Sequence, residues 1–263
     1  MSSVSIEFAG MQACISLRRP ERHNAFDDVV IADLTEAFER AAAHSSVRCV
    51  VLESTGPSFS AGADLDWMRR MADYSDEENR RDALALARLM QTVDGCPKPV
   101  LAVVQGAAYG GGVGLVAACD ITIAADTAMF GLTEVRLGLI PAAISPYVIA
   151  AIGARACRRY FLTGERFPAA RALALGLVHE VVPADRLHEA RDRILTAIAE
   201  GGAQAQAAAK DLIRVVAGRK PDDELAQWTA DRIAAIRASE EGREGVRAFL
   251  EKRRPTWRDT DAK

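Results

Sequence analysis

Between Lys98 and Pro146 the chain runs an apolar, β-branched segment, Val100-Leu101-Ala102-Val103-Val104, into a string of glycines at 106, 110, 111, 112 and 114. No other stretch restricts the possible folds so strongly. The apolar run, preceded by Pro97 and Pro99, reads as a buried strand. Leu115 to Cys119 reads as helix, and Asp120 to Ala125 as a second strand. Phe130-Gly131-Leu132-Thr133-Glu134 then leads to Gly138-Leu139-Ile140-Pro141. A strand that empties through glycines into a helix leaves unpaired main-chain N–H groups at the helix start, which suits negative charge. The same glycines equally suit close packing of backbone on backbone. Two nucleotide sites are excluded by spacing. Counted from Gly110 and Gly112, the last glycine of G-x-G-x-x-G would fall on Leu115, and no G-x-x-x-x-G-K-[ST] occurs.

Along the rest of the chain the pattern is first mixed and then helical. Val4 to Phe8 and Ala13 to Leu17 alternate on either side of Gly10, an early hairpin. Arg18 to Asn24 is a polar loop with solvated arginines. Asp27 or Asp28 caps a helix carrying Val29, Ile31, Leu34 and Phe38. Cys49 to Glu53 is a strand feeding the loop Ser54 to Gly62, after which Asp64 can cap a short helix. Asp76 to Asp94 is a longer helix with an apolar stripe of Ala83, Leu84, Leu86, Leu89 and Met90. Helices follow over Pro146 to Gly153, Ala154 to Leu162 and Pro168 to Leu175, the last stopped by Gly176. Val178 to Val182 is the final strand, and His179 within it and His188 read as surface or packing residues. From Pro183 onward the chain is helical: Leu187 to Glu200, Gln204 to Val216, Asp222 to Ala238 and Gly242 to Leu250. This order gives an α/β fold with a helical last third.

A chain of 263 residues, 49% of them hydrophobic, can bury one large core with an appended helical part. A net charge of −3 argues against nucleic acid as a partner. No apolar run approaches the roughly 18 residues of a membrane span, and residues 1–10 lack the basic start and apolar core of a signal peptide. The five scattered cysteines, with no C-x-x-C, suit a reducing cytoplasm. The four histidines do not cluster with other ligands at metal-binding spacings, so neither a metal nor a separate cofactor is expected.

Gly106-Ala107-Ala108-Tyr109-Gly110-Gly111-Gly112, Ala118-Cys119-Asp120-Ile121 and Phe130-Gly131 with Glu134 and Gly138 together resemble the enoyl-CoA hydratase/isomerase (crotonase) family. So do Arg19-Pro20 with Asn24-Ala25, and Phe59-Ser60-Ala61-Gly62-Ala63-Asp64-Leu65. The match runs nearly end to end. It implies a spiral of ββα turns over residues 1–195, a helical trimerisation region over 196–263, and a homotrimer or pair of trimers. It also implies an acyl-CoA thioester substrate, with coenzyme A arriving as part of that substrate. The main-chain amides of Ala63 and Gly111 would form an oxyanion hole for the thioester enolate. Glu134 would exchange a proton with the α-carbon; without the resemblance it reads as a solvent-facing glutamate at a strand end. Arg22, Ala25, Ala61, Ala63, Asp64 and Leu65 would contact the CoA. Phe249 and Lys252, in Phe249-Leu250-Glu251-Lys252-Arg253, would reach a CoA bound largely by a neighbouring subunit.

One position departs from the two-glutamate hydratases of that family: their other glutamate matches Gly114. Loss of that residue is familiar among Δ3,Δ2-enoyl-CoA isomerases, which need one base. Gly62 to Met68, Gly138 to Val148 with its Ala-Ile-Ser-Pro run, Arg158-Arg159-Tyr160 and Thr163 with Glu165-Arg166-Phe167 pull the other way. They resemble bacterial methylglutaconyl-CoA hydratases of leucine breakdown and isohexenylglutaconyl-CoA hydratases, which also tend to lack that glutamate. Hydration of a 3-methylglutaconyl-CoA-like substrate is therefore the expectation. An isomerase and a noncatalytic acyl-CoA-binding subunit are the alternatives. A distal substrate carboxylate would need a partner, for which Arg69, Arg70, Arg136 and Tyr147 are available.

Overall fold

The computed structural model describes residues 3–258. They divide into two compact units, one of residues up to Cys96 with Val100–Asp192, the other of Pro97–Pro99 with residues from Arg193 on.

In the first unit β1 (Val4–Ala9) and β2 (Gln12–Leu17) form the hairpin. Helix α1 (Asp28–Ala43) starts where the Asp27 carboxylate accepts from the Val30 amide. Next come β3 (Cys49–Ser54), β4 (Ser58–Ser60), α2 (Leu65–Met71) and α3 (Asp76–Asp94). Then follow β5 (Val100–Val104), β6 (Ala107–Tyr109) and α4 (Gly111–Ala118). After β7 (Ile121–Ala125) and β8 (Met129–Gly131), a 3-10 turn (Glu134–Leu137) leads into α5 (Ser145–Thr163). Helix α5 is broken at Gly153, where φ 74° and ψ 153° are not helical, so the two helices expected there meet at a kink. The unit closes with β9 (Arg166–Pro168), α6 (Ala169–Leu175) and β10 (Glu180–Val182).

Two sheets result. The larger has the order β1-β2-β3-β5-β7-β10, parallel except between β1 and β2. The smaller is β4-β6-β8-β9, with β9 antiparallel. Each turn of the chain lays one strand in the large sheet (β3, β5, β7) and the next in the small one (β4, β6, β8). Helices α3, α4 and α5 then return the chain, which is the ββα spiral. Strand β5 is buried on both faces, which is why it reads as an unbroken apolar run rather than an alternating one.

The helical phases differ from the sequence reading in detail. In α1 the buried residues include Val30, Ile31, Leu34 and Phe38, whereas Val29 is exposed. In α3 they are Leu89, Met90 and Val93, and Leu84 is exposed. Helix α4 begins at Gly111 rather than Leu115, so the glycine run is itself the first helical turn. Glu134 opens a 3-10 turn instead of ending a strand. Strands β6 and β9 span three residues each, too short to show a period.

Helix α7 (Leu187–Glu200) leads into the second unit, built from α8 (Ala203–Val216), α9 (Asp223–Ala238) and α10 (Glu240–Leu250). There the Glu244 carboxylate accepts from both terminal nitrogens of Arg253, at 2.7 and 2.8 Å, and from the Thr256 amide at 3.0 Å. The Arg253 guanidinium and that amide hold the Glu244 carboxyl at about 2. No helix among the described residues is long and apolar enough to cross a membrane.

Candidate active site

Two loops leave the small sheet side by side, and the site forms where they touch. After β4, Ala61 donates its amide to the His23 carbonyl at 2.9 Å. The next residues pair with the segment before α1: Phe26 N–H donates to the Gly62 carbonyl and Asp64 N–H to the Phe26 carbonyl, both at 2.7 Å. This bridge uses the groups on either side of Ala63. The Ala63 residue is exposed, and its amide has no partner among the described residues. After β6, the Gly110 amide pairs with the Gly131 carbonyl at 2.9 Å, while the Gly110 carbonyl accepts from Val113 and Gly114. The Gly111 amide, at the start of α4, has no partner among the described residues either. Such a helix-start amide carries the partial positive charge of the helix end.

Backbone geometry explains the glycines at the crossing. Gly62 has φ +89° and Gly110 φ +50°, conformations that L side chains rarely adopt. A β-carbon on Gly62 would lie 3.1 Å from the Tyr109 carbonyl oxygen and 3.9 Å from the Gly110 Cα. A β-carbon on Gly110 would lie 3.2 Å from Oε1 of Glu134. Ala63, Gly111 and Glu134, far apart in the chain, thus belong to one crossing of loops.

The Glu134 carboxyl is perturbed by its surroundings. Oε2 is shielded from solvent and has no hydrogen-bond partner. Burial pushes the carboxyl above the usual glutamate value, and its own main-chain amide only partly offsets that. A carboxyl perturbed in this way keeps its proton to higher pH than an exposed one.

A cavity of about 520 Å³ adjoins Ala63. Arg22, Ala25, Ala61, Ala63, Asp64 and Leu65 line it, as do His23 and Asp66, which were not among the residues expected to contact the CoA, and Arg69, one of the groups available for a distal carboxylate. Asp64 also ties the cavity wall together. It is buried, and Oδ1 caps α2 by accepting from Asp66 N–H at 2.8 Å and Trp67 N–H at 3.3 Å. Oδ2 accepts from Arg22 at 3.0 Å and Arg19 at 3.2 Å. Burial alone would raise this carboxyl; the Arg22 guanidinium and the two amides outweigh it and hold the group below the usual aspartate range. Arg19, read from sequence as part of a solvated loop, is instead nearly buried between Asp64 and Asp27. Asn24, also buried, ties the same loop down by donating to the Thr55 and Ser58 carbonyls at 2.7 and 2.8 Å.

Replacing Asp64 by Ala removes a cap and leaves Arg19 without one of its two carboxylates. We expect a stability loss of about 3–5 kcal/mol, the scale of a broken buried pair, with the lost cap adding about 1 kcal/mol, readable by urea denaturation. Arg22 then keeps only Asp66 as a carboxylate partner, at 2.8 Å.

Phe249 and Lys252 belong to the second unit. Phe249 is 82% exposed near the end of α10, and Lys252 adopts a left-handed conformation just beyond it. Among the four groups considered for a distal carboxylate, Arg69 pairs with Asp66 and Arg70 with Asp28. The Arg136 side chain lies against Gly164, and Tyr147 lines a groove with Leu84 and Gln91. His179 accepts from the Thr122 amide at 3.1 Å, which is a packing role.

Gly114 is more than a missing carboxylate. A β-carbon there would overlap Cγ2 of Ile144 and lie 3.2 Å from the Met90 sulfur. Ile144, 2% exposed and from the Ala-Ile-Ser-Pro run, fills that volume. Side chains of any kind are excluded from position 114 unless Ile144 moves. Among the described residues no group of His, Cys, Asp or Glu is arranged to hold a metal ion.

Comparison with known proteins adds context to this geometry. The family model described as enoyl-CoA hydratase/isomerase matches residues 8–260. An enoyl-CoA hydratase structure from Shewanella pealeana is 44% identical, with a TM-score of 0.95 over 97% of this chain and 96% of that one. Enoyl-CoA hydratase ACTT6 of Alternaria alternata is 36% identical over 89% of this chain and 77% of its own. A trans-2-decenoyl-[acyl-carrier-protein] isomerase of Streptococcus mutans is 30% identical over 93% of this chain and 94% of its own.

Proposed function

Since this chain belongs to the enoyl-CoA hydratase/isomerase family, we propose that it adds water across the 2,3-double bond of an enoyl-CoA resembling 3-methylglutaconyl-CoA. The observation that carries the reading is the Glu134 carboxyl, dry and unpartnered at Oε2, beside the crossing that holds the free amides of Ala63 and Gly111. Ionised Glu134 takes a proton from a water molecule as the water oxygen bonds to C3. The C2=C3 electron pair moves toward C1, and the thioester oxygen gathers negative charge under the two amides. Glu134 then returns its proton to C2 as the enolate collapses, so the carboxylate is regenerated and one water is consumed. Stabilising the enolate through one such amide is typically worth about 3 kcal/mol of barrier.

Support for the branched, acidic acyl group comes from the Ala-Ile-Ser-Pro run and the residues around it, not from a bound ligand. A second reading has its own observation in favour: Ile144 fills the volume next to Gly114, so a second glutamate has no room at that position. One base suffices to shift a double bond from C3 to C2 by removing a proton from C2 and returning it to C4.

A substrate panel decides between them. Crotonyl-CoA, 3-methylcrotonyl-CoA, 3-methylglutaconyl-CoA and 3-hexenoyl-CoA are incubated in ¹⁸O-labelled water. Hydration predicts label in the product, with the highest kcat/KM on 3-methylglutaconyl-CoA. Conversion of 3-hexenoyl-CoA to the 2-enoyl isomer without label, and no hydration of the others, would replace the proposal with the isomerase reading.

A further inference from the structure

Phe26 touches both sides of the crossing at once. Its main chain bonds the residues before and after Ala63, through Phe26 N–H to Gly62 and Asp64 N–H to Phe26. Its ring occupies the place a side chain on Gly111 would take, with Cε2 and Cδ2 2.8 and 2.9 Å from a β-carbon built there. The residue is 2% exposed. We infer that Phe26 is the positioning residue that sets the separation of the Ala63 and Gly111 amides, a role that rests on the oxyanion-hole reading above.

Three features make Phe26 a fixed gauge rather than ordinary core. The first is its anchoring: the next residue, Asp27, caps α1, so the chain at Phe26 cannot slide. The second is a clamp. Arg19 donates through Nη1 to Asp27 at 2.7 Å and through Nη2 to Asp64 at 3.2 Å, joining the caps of α1 and α2 on either side of the Phe26–Ala63 bridge. The third is the ring, planar and rigid, which stops the start of α4 from closing on the bridge. Oxyanion donors work only within about 2.7–3.1 Å of the developing charge, so a shift of a few tenths of an ångström in this spacing is felt in the barrier. Gly111 lacks a side chain for the same reason: the ring already stands there.

The test combines kinetics with the infrared stretch of a ¹³C-labelled thioester carbonyl in butyryl-CoA bound at saturation. Phe26→Leu should lower kcat roughly 10- to 100-fold, the scale of a misplaced group, with KM within about twofold. The bound carbonyl, shifted to lower wavenumber in the wild type, should shift less in the variant. Phe26→Met, close in length but flexible, provides the milder case if the leucine variant folds poorly. Gly111→Ala alone should be nearly inactive, and adding Phe26→Leu should restore part of its kcat because the new methyl fills the vacated place. No carbonyl shift in the wild type would overturn the oxyanion-hole reading and this inference with it. A full wild-type shift retained in both Phe26 variants, with kcat unchanged or with KM rising as kcat falls, would overturn the inference alone.

Discussion

Glu134→Gln should reduce kcat about 10³- to 10⁴-fold, the upper part of the range for losing a general acid–base group, while acyl-CoA binding measured by calorimetry stays within a few-fold. Gln keeps the shape of the side chain but cannot accept a proton from water or return one to C2. The same change should make the protein more stable at neutral pH. Burial raises the folded-state pKa of Glu134 above its unfolded value, so the folded state holds that proton more tightly. Below the unfolded value, about 4.3, both states are protonated and the carboxyl brings no penalty. As pH rises from there through the folded value, the unfolded state releases its proton first and stability falls. The Gln variant lacks this loss. Its melting temperature should exceed that of the wild type at pH 7 and converge with it near pH 3. In the wild type, kcat/KM should fall on the acid side at a pH above the ordinary glutamate range. A variant with near-normal turnover, or one whose melting temperature tracks the wild type at every pH, would remove Glu134 from the role given it.

Gly106→Ala should be the most damaging single methyl group in the first unit. A β-carbon at Gly106 would overlap the Pro57 carbonyl oxygen and lie 2.9 Å from the Pro57 carbonyl carbon and 3.3 Å from the Ser58 Cα. All three are main-chain atoms, so no rotamer change relieves the contact. Strands β4 and β6, paired through Ser58 with Ala107 and Ser60 with Ala108, must separate. These strands carry the two loops of the active site, so Ala63 and Gly111 separate with them. We expect roughly 3 kcal/mol or more, the upper end for overpacking, and a melting temperature lower by on the order of 10 °C at about 2–4 °C per kcal/mol for a domain of this size. Gly10→Ala is the control. Its backbone, unlike that of Gly106, is left-handed, at φ +56°, but nothing lies within 4 Å of the added carbon. That change should cost about 1–2 kcal/mol from the backbone conformation alone and leave turnover intact. Equal losses from the two substitutions would show that the β4–β6 approach is not the constraint.

Much of the fold was legible in local pattern. Helix α3 runs over the residues its periodicity implies, with Ser75 capping it, and β5 and β7 lie where their apolar runs do. Patterns failed where neighbours rather than period decide the outcome. Leu84 lies on the apolar side of the α3 sequence yet is exposed, and β6 and β9 exist only because β8 lies between them. In the site, the resemblance pointed to Ala63, Gly111 and Glu134, and six of the residues named for CoA line one cavity. It did not show that Arg19 is held by Asp27 and Asp64, or that Ile144 packs on Gly114, thirty positions away.

Local pattern determined the mixed strand-and-helix order and the glycine-rich entry to α4, because periodicity and turn chemistry are properties of neighbouring residues. The ββα spiral and the choice of Glu134 followed instead from the resemblance carried by longer motifs. Only the tertiary structure decided that Glu134 Oε2 is shielded, that Asp64 is buried against arginines, and that the Phe26 ring stands where a side chain on Gly111 would. Burial and spacing across distant segments depend on how sheets and helices pack, and a linear pattern carries no record of that distance.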